Sequence, residues 1–173
     1  MTAHESLWDF SMRVYGAPGV ADWCLALQDG HGADVNVLLW AAWWGAAGLA
    51  LAATDLAAAE GATGAWRDQV VRPLRAVRRA LRADIGAVTA EAAVALRIRI
   101  KAVELEAERL QQAALEALRP AGERQGRTDP GIAIAANLGA CLDRLGAGPA
   151  EPPPALIAAA TAPLGTSNGK SRR

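Results

Sequence analysis

A chain of 173 residues, 52% apolar and 21% charged, is one domain's worth and long enough to bury a core without disulfide or metal staples. Its formal net charge of zero argues against a general binder of nucleic acid or membrane surface. Two cysteines, Cys24 and Cys141, form no metal-binding spacing and no disulfide framework, so they read as reduced thiols of a cytoplasmic protein.

The N-terminal stretch MTAHESLWDFSMRVYG carries acids before its first arginine and no apolar run, so no signal peptide is expected. Ala, Leu, Arg and Glu dominate, and no alternating Val/Ile/Thr run occurs, so the chain is predicted all-α. The first helix starts at the N-cap Ser6 and runs to Tyr15, with Leu7, Phe10 and Val14 on one face. A second runs from about Pro18 to Gln28, its inner face Val20, Cys24 and Leu27, and DGHG (Asp29–Gly32) turns the chain. The third starts at the N-cap Asp34 and takes in the 20 uncharged residues up to Asp55. A short fourth helix begins at Thr54 and Asp55 and stops at Gly61 and Gly64. The fifth covers about Ala65 to Arg82, kinked or broken at Pro73, and the sixth covers about Ile85 to Arg119. A charged loop precedes a seventh helix, Pro130 to Leu145. From Gly146 the Pro/Gly/Ala-rich sequence reads as a flexible tail, with one turn at most around Leu156. The expectation is a helical bundle of six or seven helices over residues 5–145, with a disordered tail over 146–173.

Twenty helical residues are long enough to cross a bilayer, at about 30 Å. Composition argues against a span here. Ala and Gly dilute the apolar drive, Asp34 and Asp55 bracket the segment, and no Lys or Arg lies between Arg13 and Arg67. The segment reads instead as a helix buried on most sides, with Trp40, Trp43 and Trp44 on one face. In the sixth helix Ala93, Leu96, Ile100, Val103, Ala107, Leu110, Ala114 and Ala117 recur at steps of three and four. That is a seam for another helix, most simply of the same chain, alternatively of a second copy in a homodimer.

LWDFS from Leu7 to Ser11, LQDGHGADVN from Leu27 to Asn36 and VVRPLRAVRRAL from Val70 to Leu81 stand in order along the chain. In these segments it resembles a proteobacterial family of small helical proteins of unknown function, over about residues 5 to 120. The resemblance implies a cytoplasmic bacterial protein and carries no activity, cofactor or catalytic residue with it.

Two places could hold function. HGADVN puts His31, Asp34 and Asn36 at the mouth of the third helix, where free backbone N–H groups favour anions and a histidine can switch charge near neutral pH. With Trp8, Asp9, Trp40 and Trp44 these residues form a candidate small-ligand or enzyme pocket among the first three helices. Turn and cap chemistry explains the same residues more simply. One histidine with scattered carboxylates is a weak metal signal, so no metal is expected. No cofactor motif, phosphate loop or nucleophile–base pair occurs elsewhere. The second place is the basic helix, where Arg72, Arg75, Arg78, Arg79 and Arg82 form a ridge opposite a stripe of Val and Leu. It reads either as a solvated face neutralised by acids such as Glu104, Glu106 and Glu108, or as a docking surface. An acidic protein is the partner best suited to it, with sequence-specific nucleic acid not expected. The functional expectation is a non-enzymatic interaction or accessory protein docking through the Arg-rich helix.

Overall fold

The structure is a computed structural model that describes residues 5–121, 126–148 and 150–163. Among these residues the chain is all-helical, with no strand and one isolated bridge between Ile85 and Val88. The helices are α1 (Leu7–Tyr15), α2 (Val20–His31), α3 (Val35–Ala46), α4 (Ala53–Trp66), α5 (Arg72–Ala80), α6 (Val94–Glu116), α7 (Pro130–Leu145) and α8 (Pro154–Thr161). No helix among the described residues is long and apolar enough to cross a membrane.

The centre of the bundle is α3, where every residue from Asn36 to Gly45 is buried. All the other helices except α5 pack around it. Its closest neighbour is α7. A Cβ on Gly45 would stand 2.7 Å from the backbone of Ile134, so only glycine permits this approach. The helix is shorter than the uncharged run suggested. Gly48 turns left-handed at φ 77°, and Leu49 N–H bonds back to the Trp44 carbonyl, which closes the helix at Ala46. Asn137 on α7 then holds the departing chain, donating to the carbonyls of Ala41 and Leu49 and accepting from Leu51 N–H at 2.8 Å.

Three other expectations are corrected. Gly61 and Gly64 do not stop α4, because both face open space and each costs only about 1 kcal/mol inside a helix. Of the kink or break expected at Pro73, the break does not occur. A π-helical turn, Arg67–Val71, absorbs the missing hydrogen bond just before it, and Pro73 sits in the first turn of α5. The long helix starts at Val94 rather than near Ile85, since Gly86 at φ 59° and the paired Ile85 and Val88 fold the preceding residues into turns.

The single turn anticipated around Leu156 is α8, beyond the expected domain boundary at Leu145. Leu156 and Ala160 are buried on the core, and Arg13 of α1 donates to the Ala159 carbonyl. The rest of the expected flexible tail, residues 164–173, lies outside the described residues.

The seam expected on α6 closes within the chain only at Ala93 and Ala107. The inward side of this helix carries Glu104, Ala107, Gln111, Gln112 and Leu115. Leu96, Val103 and Leu110 are exposed. α5 meets α6 through Glu104 and Glu108 at its middle, and the two helices form an arm on the body of the bundle.

Candidate functional site

The residues of the expected pocket are not brought together. Asp34 caps α3, accepting from Asn36 N–H at 3.0 Å, while Gln111 Nε2 donates to its other oxygen at 2.6 Å. Asn36 Nδ2 donates to Gln111 Oε1, and Gln112 Nε2 donates to Asn36 Oδ1, both at 2.9 Å. Trp40 and Trp44 share the helix but face the core, edge-on to one another with centroids 6.5 Å apart. Their indole N–H groups are buried without an acceptor. Trp8 is half-buried on α1, and Asp9 is exposed and bonded to Ser6. His31 ends α2, exposed to solvent. Among the described residues no group of three or more His, Cys, Asp or Glu is arranged to hold a metal ion.

Asp34 and Asn36 instead border a cleft of about 250 Å³ whose other walls include Gln28, Asp29, Arg67, Arg72, Arg75, Arg79 and Gln111. Burial pushes the Asp34 carboxyl above its ordinary value, against the bond from Gln111 and the charge of Arg67 4.0 Å away. The cleft joins two sequence signals that looked separate, the cap of α3 and the arginine ridge of α5.

Most of that ridge is engaged within the chain. Arg75 bonds Glu104 at 2.9 Å and Glu108 at 2.5 Å, and Arg78 also bonds Glu104. Arg79 pairs with Asp29 at 2.8 Å. Arg72 pairs with Asp68 at 3.0 Å and donates to the Gly32 carbonyl. Arg82 is exposed, and no ion pair holds it among the described residues. The ridge therefore divides, with Arg75 and Arg78 turned onto α6, Arg72 and Arg79 reaching the end of α2, and Arg82 left on the outer side.

The two glutamates under the ridge respond in opposite directions. At Glu104 burial opposes ionisation, yet the bonds from Arg78 and Arg75 hold the carboxyl below its usual range. At Glu108 burial wins over the nearby Arg75 and the more distant charge of Arg78, with Glu104 adding repulsion, and the carboxyl is pushed up.

Sequence reasoning anticipated an apolar seam along α6 but not that most of it would be left open. Of thirteen exposed large apolar side chains among the described residues, nine lie between Val77 and Leu110. The six on α6 are left outside because Glu104, Glu108, Gln111 and Gln112 take its inward face. These polar residues also recur at helical spacing, a signal that competes with the apolar seam and could have been set against the arginine ridge.

With this arrangement in view, comparison with known proteins places the chain. The family described as Protein of unknown function (DUF2390) matches residues 6–115, well over half of the chain, and the chain belongs to it. No curated protein matches the chain. No solved structure matches it either.

Proposed function

We propose that this member of the family is a non-enzymatic interaction or accessory protein that docks a partner along the outer face of its α5–α6 arm. The observation that carries the reading is the concentration of exposed apolar side chains on that arm, Ile98 and Leu105 among them: nine of the thirteen among the described residues. Monomeric proteins rarely leave such surface open without a use for it. Arg82 and Lys101 on the same arm are exposed cations, which suits an acidic protein partner. Cys24 and Cys141, both buried and pushed up to about 12 by burial, are thiols suited to a reducing cytoplasm.

A photo-crosslinking residue placed at Leu105, in cells that make the protein naturally, tests this. It is expected to give a discrete adduct with an acidic protein, while the same residue at Ile132 on α7 gives none. Equal labelling at both sites, or none at either, overturns the reading. A small-ligand function would have to use the cleft beside Asp34, whose arginines are already paired with acids.

A further inference from the structure

We infer that a second copy of this chain covers the other apolar flank of the arm, α6 packing antiparallel against α6 about a two-fold axis beside Val103. This goes beyond the proposed partner docking and uses a different face of the helix.

Leu96, Val103 and Leu110 stand seven residues apart and are 43%, 49% and 56% exposed. A strict seven-residue interval is the pattern that a supercoiled partner helix reads, because it keeps the stripe facing that partner along its length. Leu96 to Leu110 covers about 21 Å of helix at 1.5 Å per residue. Ala114, exposed one turn beyond Leu110, lets a partner helix approach closely at that end of the stripe.

Charge selects the occupant and its direction. Arg99 and Glu106 flank the stripe on the side away from the chain's own body. Both are exposed, and neither has an ion pair among the described residues. Antiparallel pairing about Val103 sets Arg99 of each copy beside Glu106 of the other, two complementary contacts from one symmetric operation. A parallel pair would offer Arg99 the residue five positions on, Glu104. That carboxylate is already buried under Arg75 and Arg78. Trp66, 38% exposed, donates its indole N–H to the Ala107 carbonyl in the middle of the seam and marks its edge.

Sedimentation of the full chain across the micromolar range is expected to show a concentration-dependent dimer. Val103→Lys is expected to abolish it while leaving the helical signal of the protein unchanged. Arg99→Glu and Glu106→Arg are each expected to weaken the dimer about tenfold, the sum of two exposed pairs lost and made repulsive. The double variant carrying both is expected to restore it. A wild-type chain that stays monomeric overturns the inference, and so does a dimer that survives Val103→Lys or a double variant as weak as the singles. Partner docking is tested separately, because the crosslink at Leu105 reads a different face and does not depend on any of these outcomes.

Discussion

The body of the molecule and its arm hold their helices together by opposite means. Around α3, helices meet through apolar side chains and bare backbone: Trp40 is 1% exposed, and Gly45 lets the backbone of Ile134 come within van der Waals reach. Between α5 and α6 the joint is ionic. Arg75 and Arg78 grip Glu104 and Glu108, and most of the large apolar residues of α6 are left on the outside. An apolar stripe, then, does not choose its own side. Where a matching row of charges is fixed on the neighbouring helix, pairing those charges decides which face turns in, since removing one partner would strand a buried charge.

Three substitutions probe that contrast. The largest effect is expected in the body. Trp40→Ala should cost about 3–5 kcal/mol in denaturant unfolding, because the site lies at the centre of a packed core and cannot collapse. A loss below about 1 kcal/mol would mean that α3 is not the organising helix.

A middle effect is expected at the ionic joint. Glu104→Gln should cost about 2 kcal/mol at neutral pH, as the charge-assisted bonds to Arg75 and Arg78 weaken. The sign of its pH dependence follows from the carboxyl being held below its ordinary value in the folded chain. That stability is fully present above the unfolded value and is lost as pH falls through the folded one. The gap between wild type and variant should therefore close on acidification. Asp34 and Glu108 act in the other direction, favouring the fold when protonated and losing that contribution as pH rises through their raised values. A gap that widens in acid would show that the joint does not depend on the Glu104 charge.

The smallest effect is expected on the outer face of the arm. Ile98, 63% exposed, should accept lysine with a change within about 0.5 kcal/mol in thermal or denaturant unfolding. A cost approaching that of Trp40→Ala would place Ile98 in a buried contact and erase the contrast between body and arm.

The caps at Ser6 and Asp34, the burial of α3 and the start of α7 at Pro130 could all be read in advance, whereas Asp29–His31, expected to turn the chain, continue α2 up to its C-cap Gly32. Each depends on a side chain and the backbone within a few residues of it. Of the candidate site, Asp34, Asn36 and the arginines were recognised, though not that they line one cleft. The glutamates and glutamines of α6 that complete it were missed, because they lie far along the chain and no local pattern links them to it.

An all-helical chain, an uncharged central helix and a basic fifth helix follow from the sequence alone, because composition and short-range periodicity act through the backbone of each segment. Tertiary contacts were needed to set where α3 ends, how far the core extends past Leu145, and which face of α6 turns inward. Those outcomes rest on Asn137 reaching the chain after Gly48, on Leu156 finding the core, and on Arg75 and Arg78 meeting Glu104. Each is a contact between distant segments, and its free energy exists only once the helices have met.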